Sequence, residues 1–325
     1  MLERFDSLLK KGMPVITPLS LVAGVLIADT GSRLLGFVPW IFALMTFAGS
    51  LGMRTADLRN AVRHPLAVLL SLAFLHLLIP VWAYVFSVLV FDDHLLTVGF
   101  VLSAAVPTGV SSIIWVSMYR GNLALCLSII LINTMLAPLI IPATLFVVAG
   151  KGVPVDTGAL VLDLLLMVVL PSLAGLLLNE WTKGQAGKLL GPKLSPLSKL
   201  SIFAIVLINS SVIAPYLKNF DLDLLKVIAG VLLLSASGYA FALLIGEKVW
   251  KGRPDISVMF VFNGGMRNIA LGVVIATVYF PAKVAVPVVC GMLFQQILSA
   301  VFGKVIERRH GMGEAGQAIP QNHAS

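Results

Sequence analysis

The sequence predicts an all-α integral membrane protein of ten transmembrane helices, built as two inverted five-helix repeats whose fourth and ninth helices are broken and cross. Three observations predict it. Of 325 residues, 58% are hydrophobic and only 12% are charged, whereas a soluble globule averages about 45–50% apolar and about 25% charged residues. The apolar residues fall into ten runs that approach the roughly 20 residues a spanning helix needs. Two of these runs, at matching places in the two halves of the chain, are interrupted by Gly, Pro and polar residues.

The runs cover residues 13–30, 34–53, 66–91, 95–118, 122–149, 157–178, 198–217, 222–246, 256–280 and 284–303. The breaks between them carry Pro, Gly, Asp, Lys and Arg, which end helices and resist lipid. Residues 1–12, with Arg4, Lys10 and Lys11, read as a cytoplasmic N-terminus. The run after them is long and lacks a small-residue cleavage site, so it reads as the first membrane helix and not as a signal peptide. Residues 13–149 then form the first repeat, 150–156 a linker, 157–303 the second repeat, and 304–325 a cytoplasmic tail expected to be disordered. Five helices per repeat, an odd number, force the second repeat upside down relative to the first.

With the N-terminus inside, 17 of the 23 Lys and Arg fall in cytoplasmic segments. Arg33, Lys151, Lys218, Lys226 and Lys283 fall outside, and Arg267 lies within a helix. The positive-inside rule therefore puts both termini in the cytoplasm of a chain that crosses the cell inner (plasma) membrane many times. The same distribution excludes a nucleic-acid binder, because the net charge of +8 sits in short loops without a basic stripe or interleaved aromatics. Cys126 and Cys290 lie in apolar runs and read as buried free thiols, with no metal site and no cofactor. Trp40, Trp181 and Trp250 lie near helix ends and read as interfacial anchors.

The interruptions are Pro107-Thr108-Gly109-Val110-Ser111-Ser112 and Asn263-Gly264-Gly265-Met266-Arg267-Asn268. Paired breaks of this kind point to a transporter's binding site. Unwound backbone is tolerated at membrane depth only where protein or a water-filled cavity surrounds it. The downstream half-helices are expected to begin near Val110 and Met266, with Ser111, Ser112 and Asn268 capping or lining them. Helix N-termini favour an anionic ligand. Arg267 needs an anionic partner, carbonyls or water at that depth. Three readings are open for it: a fixed cation at the crossing, a grip on a substrate carboxylate that suits its planar fork, or an ion pair with an acid such as Asp163. Asn133 and Asn209 read as interhelical hydrogen-bonding groups. His76, in the middle of the third helix, reads either as a proton-coupling group or as a packed neutral imidazole.

At these two breaks the chain resembles the bile acid:sodium symporter family. Family members carry a first motif close to P-G-G-T-A-S-N, then a basic residue and Gly, then A-L and a later A-P or S-P. Here the stretch reads Pro107-Thr108-Gly109-Val110-Ser111-Ser112-Ile113, Arg120-Gly121, Ala124-Leu125, Thr134 and Ala137-Pro138. The second motif, close to E-x-G-M-Q-N-S-G-L, reads Asn263-Gly264-Gly265-Met266-Arg267-Asn268-Ile269-Ala270-Leu271. Gly52-Met53 before the basic loop Arg54–His64 is also similar. The resemblance covers roughly residues 13–303. It implies a core domain of helices three to five and eight to ten, a panel of helices one, two, six and seven, and an organic anion bound between them. It also implies that Gln295 and Gln296 occupy positions lining the cavity.

The departures from the family are chemical. The Asn that ends the first motif is Ile113, and the Ser and Thr ligands of the fifth helix fall on Cys126 and Ile130. The Glu and Gln of the second motif are Asn263 and Arg267, and the third-helix Gln falls on Leu75, beside His76. Hard cations need several oxygen ligands, which Ile, Leu and Cys do not supply. The expectation is therefore a secondary transporter of a small organic anion, working by alternating access without Na+, either proton-coupled through His76 or facilitative. Its substrate and ion candidates are Thr108, Ser111, Ser112, Asn133, Asn263, Arg267, Asn268, Gln295 and Gln296, and its partners are the lipid bilayer and the anion. One alternative keeps sodium coupling, with ligands rearranged onto Ser112, Asn133, Asn263 and backbone carbonyls. Outside the transporter class stand a non-transporting membrane receptor and an intramembrane enzyme. For an enzyme the sequence offers neither paired carboxylates nor H-E-x-x-H.

Overall fold

The computed structural model describes residues 2–150, 155–218 and 221–309. Among the described residues the regular structure is helical. In chain order the main helices are α1 Leu2–Leu26, α2 Val38–Ser50, α3 Pro65–Val90, α4 His94–Ala105, α5 Ser112–Met118 and α6 Leu123–Ala149. They continue with α7 Thr157–Trp181, α8 Gln185–Val212, α9 Leu222–Val249, α10 Pro254–Gly265, α11 Ile269–Tyr279 and α12 Ala282–Arg309. Six of these, α3, α6, α7, α8, α9 and α12, are long and apolar enough to cross a membrane. Helices α4 and α11 are shorter apolar pieces, each one half of an interrupted run.

Three boundaries differ from the sequence reading. Helix α1 begins at Leu2, so residues 2–12 and the apolar run that follows them are one continuous helix. Its polar first turns lie along α8, where Asp6 accepts a 2.7 Å hydrogen bond from Ser195 Oγ and pairs with Lys199. Helix α8 starts at Gln185, well before residue 198, and runs through Pro192 and Pro196. Its first turn is anchored by Asn179, whose Oδ1 accepts from Gly187 N–H at 3.0 Å while its Nδ2 donates to the Met53 carbonyl at 3.0 Å. At the other end of the chain, α12 passes residue 303 and stays helical to Arg309, which pairs with Glu247 at 2.6 Å. The rest of the expected tail, 310–325, and linker residues 151–154, including Lys151, lie outside the described residues.

The helices pack as two groups. Helices α1, α2, α7 and α8 form one, and α3, α4, α6, α9, α10 and α12 form the other, with α5 and α11 inserted into the second. Helices α3 and α7 each contain a widened π-type turn, Phe74–Leu78 and Leu165–Val169. In both, a proline follows shortly, at Pro80 and Pro171. Proline lacks the N–H for the ladder and its ring pushes on the preceding carbonyls, which a widened turn accommodates without breaking the helix. Cys126 and Cys290 are buried free thiols, as expected, and Trp40 and Trp181 are exposed.

Helices α4 and α12 approach so closely that a Cβ on Gly99 would stand 2.3 Å from the Val284 carbonyl oxygen. Gly99→Ala should therefore cost about 1–3 kcal/mol of stability through overpacking. Gly36→Ala, where a Cβ would meet nothing within 4 Å, should stay within about 0.5 kcal/mol of the parent. Thermal unfolding in detergent measures both.

Candidate functional site

Helix α4 stops because Pro107 follows it. The residue before a proline is pushed out of the helical region, and Val106 is extended at φ −62°, ψ 149°. Helix α10 stops at Gly264-Gly265, the poorest helix formers short of proline, and Met266 is extended at φ −96°, ψ 116°. The two extended stretches pair with each other. Thr108 and Arg267 form an antiparallel bridge. Gly109 N–H donates to the Met266 carbonyl at 3.0 Å, and Asn268 N–H donates to the Pro107 carbonyl at 2.7 Å. A Cβ at Gly109 would stand 2.9 Å from the Arg267 carbonyl oxygen, so the approach requires glycine.

Behind this bridge lies a buried polar network. Thr108 Oγ1 donates to the Asn263 carbonyl at 3.0 Å and accepts from Asn133 Nδ2 at 3.2 Å. Asn263 Oδ1 accepts from Ser112 Oγ and from Cys126 Sγ, each at 3.1 Å. Its Nδ2 reaches the Cys126 carbonyl at 3.4 Å. Three helices, α5, α6 and α10, and the extended stretch at Thr108 are thereby tied through their side chains. Ser112 is spent on this network and does not cap α5, and Ser111 makes no capping bond either. Asn268 does cap, accepting from Leu271 N–H at 3.3 Å. Helix α11 starts at Ile269 because Met266 to Asn268 are held in the extended pairing.

Arg267 is 7% exposed. Its backbone N–H donates to Gln295 Oε1 at 3.0 Å. Its Nη1 and Nη2 are sealed from solvent and have no hydrogen-bond partner among the described residues. Asp163, one candidate for its counter-ion, instead accepts a hydrogen bond from the Tyr279 hydroxyl. His76 sits in the widened turn of α3, beside Asn133 and within Coulombic reach of Arg267. Both His76 ring nitrogens and Asn133 Oδ1 also lack a hydrogen-bond partner among the described residues. Tyr239 lies near the guanidinium as well, its hydroxyl 2.7 Å from Ser299 Oγ.

In front of the bridge, between the two helix groups, is a cavity of about 470 Å³. Of the residues the sequence proposed, Thr108, Ser111, Arg267, Asn268, Gln295 and Gln296 line it. Ser112, Asn133, Asn263 and His76 do not, and belong to the packed crossing behind. Among the described lining residues Arg267 carries the only charge, and most of the others are apolar. Sequence reasoning missed the opposite wall, where Thr46, Ser50, Ser172 and Ser198 contribute hydroxyls. Thr46 and Ser50 donate to carbonyls of their own helix, at 2.9 Å each. Such self-satisfied hydroxyls leave no trace in an apolar run.

Comparison with known proteins bears on this arrangement. The sequence pattern of the Sodium Bile acid symporter family matches residues 39–220, more than half of the chain. The chain belongs to this family. It is accordingly a membrane transporter and not an enzyme. Bacillus subtilis YbaS, described as an uncharacterized protein, is 46% identical over 297 residues, 91% of this chain and 97% of its own. YocS of the same organism, an uncharacterized sodium-dependent transporter, is 27% identical over 254 residues, 77% of each chain. A chloroplastic probable sodium/metabolite cotransporter of Arabidopsis thaliana is 27% identical over 257 residues, 78% of this chain and 62% of that protein.

Asn263 accepts for two buried donors, and an unsatisfied buried polar group costs about 1–3 kcal/mol. Asn263→Ala should therefore lower the unfolding temperature clearly more than Ser112→Ala, which leaves the Cys126 thiol with its acceptor. Thermal denaturation of the two variants beside the parent checks the order.

Proposed function

We propose that this chain is a ten-pass secondary transporter, two inverted five-helix repeats with both termini in the cytoplasm, that moves a small organic anion across the plasma membrane without sodium. The observation that carries the reading is the Arg267 guanidinium: buried at the crossing, its terminal nitrogens partnerless among the described residues. Arg267 stands where the family resemblance puts a Gln of the sodium site. A positive charge fixed there performs the electrostatic work of a bound cation, and a second cation beside it is repelled. The oxygens near it do not offer a sodium shell, because Ser112 Oγ is bonded to Asn263 Oδ1 and Thr108 Oγ1 to the Asn263 carbonyl and Asn133 Nδ2. Leu75 and Ile130 are buried hydrocarbon at two further family ligand positions, and Cys126 presents a thiol at another. Ile113 takes the place of the Asn that ends the first motif.

The cavity supports the anion. Arg267 is the one charged residue among its described lining residues, and its guanidinium, whose terminal nitrogens are sealed from the cavity, acts on it through its field. The N-terminus of α11 opens onto the cavity at Asn268 and Ile269, and no acid is among the described lining residues. A helix N-terminus and a nearby guanidinium both favour a carboxylate. His76 is absent from the lining and its ring nitrogens are sealed, which favours facilitative movement over a proton relay through that residue.

A second reading has its own support. YocS and the chloroplastic relatives are described as sodium-dependent or as sodium/metabolite cotransporters, so this chain would be a sodium symporter with ligands drawn from Ser112, Asn133, Asn263 and carbonyls. Uptake of a panel of monocarboxylates into proteoliposomes separates the two. The account predicts equal uptake in sodium and in matched potassium, the solute recovered unaltered, and at least about a tenfold loss in Arg267→Gln, equivalent to about 1.4 kcal/mol. Uptake that appears only with sodium overturns the sodium-free reading in favour of the second.

A further inference from the structure

The cavity occupies one half of the molecule, and polar bonds between the two helix groups occupy the other. Along α7 the lining residues are Val168 and Ser172, and along α8 they are Ser198, Ile202 and Val206. On α11 the lining ends at Ala270. Beyond the cavity on each of these helices stands a polar residue with a partner in the opposite group. Thr277 Oγ1 on α11 stands 2.7 Å from Asn209 Oδ1 on α8 and 2.8 Å from the Val273 carbonyl of its own helix, and its one proton is shared between these acceptors. The Tyr279 hydroxyl on α11 donates to the Asp163 carboxylate on α7. Three helices therefore agree on which side of the cavity these bonds lie.

The first bond is buried and aimed. Asn209 and Thr277 are 0% and 8% exposed. Asn209 Nδ2 donates to the Ile205 carbonyl of its own helix at 2.8 Å, which turns Oδ1 toward α11. Around the pair, Phe42, Leu164, Ile205 and Ile208 of one group pack with Leu271 and Ile275 of the other in a single apolar cluster. This half is shut by both polar and apolar contact. The outermost tie of the same end, Asp93 with Lys283, joins α12 to the start of α4 within one group and does not bridge the two.

We propose that Asn209–Thr277 and Asp163–Tyr279 form a latch that closes the end of the cavity facing the Asp93 and Lys283 side, and that opens once in each transport cycle. It rests on the transporter reading of the cavity and adds to it the residues that hold one of its two gates. Hydrogen bonds suit the task, since each nets little over exchange with water and the pair can open thermally. Asn209 and Thr277 gain water as they lose each other, so the open state is not left with orphaned polar groups.

Thr46 lines the cavity and bonds only within its own helix, so Thr46→Cys makes a reporter with little disturbance, and the native thiols Cys126 and Cys290 are buried. A membrane-impermeant maleimide is applied separately to each face of sealed vesicles. In the reporter background, Thr277→Val with Tyr279→Phe should raise labelling from the Asp93 face by at least about threefold, the population shift expected for a weakened two-state closure. Thr277→Ser, which keeps the hydroxyl, should label at the parent rate. Unchanged labelling in the double variant, with normal labelling from the opposite face, overturns the latch. Equal increases in Thr277→Val and Thr277→Ser assign the effect to packing and also overturn it. Labelling from neither face in any variant contradicts the cavity as a transport site, and the latch falls with it.

Discussion

The rest of the structure depends on the mutual pairing of two interrupted helices. In hydrocarbon a backbone N–H or carbonyl without a partner costs several kcal/mol, so a helix cannot simply stop at membrane depth. Here each break satisfies the other. Gly109 reaches the Met266 carbonyl, Asn268 reaches the Pro107 carbonyl, and Thr108 reaches the Asn263 carbonyl. Gln295 takes the Arg267 N–H from a third element, α12. The pairing fixes where α4, α5, α10 and α11 end and begin, and so fixes the floor of the cavity.

That floor also sets the electrostatics. Bringing Thr108 and Arg267 into register carries a guanidinium to the junction, with its terminal nitrogens turned away from solvent. Charge buried without a counter-ion is expensive, and a chain gains nothing by keeping one unless it is used. In this account the use is permanent occupancy: a cation attached to the protein does not have to bind and leave with each cycle. On that reading a transported anion would have its charge offset by Arg267 and by the amide groups of α11.

Much of this was legible in the sequence, and the parts that were not have physical reasons. Pro107 and the Gly264-Gly265 pair announce breaks because they remove a donor or add backbone freedom, so both interruptions could be located. The pairing of Thr108 with Arg267 was not legible, since no local rule specifies a long-range bridge between two interruptions. Helix ends were misjudged where packing overrides composition, at the charged start of α1 against α8 and through Pro192 and Pro196. Ser112 reads as a cap from its neighbours along the chain, yet its hydroxyl goes to Asn263, a partner far away in sequence. Asp163 reads as a counter-ion because it is an acid in an apolar run, yet Tyr279 claims it. The hydroxyls of Thr46 and Ser50, satisfied within their own helix, carry no sequence signal that they face a cavity.

The central claim is that a fixed guanidinium stands in for a bound sodium ion. Its most direct test is the thermal stability of the purified protein in sodium against matched potassium at constant ionic strength, for the parent and Arg267→Gln. A ligand that binds only the folded state stabilises it by about 2.7 kcal/mol at 100 times its Kd. The account predicts no sodium-specific shift in the parent, and none in Arg267→Gln, where Leu75, Ile113, Cys126 and Ile130 still supply no side-chain oxygen. A sodium-specific rise in the unfolding temperature of the parent would contradict it.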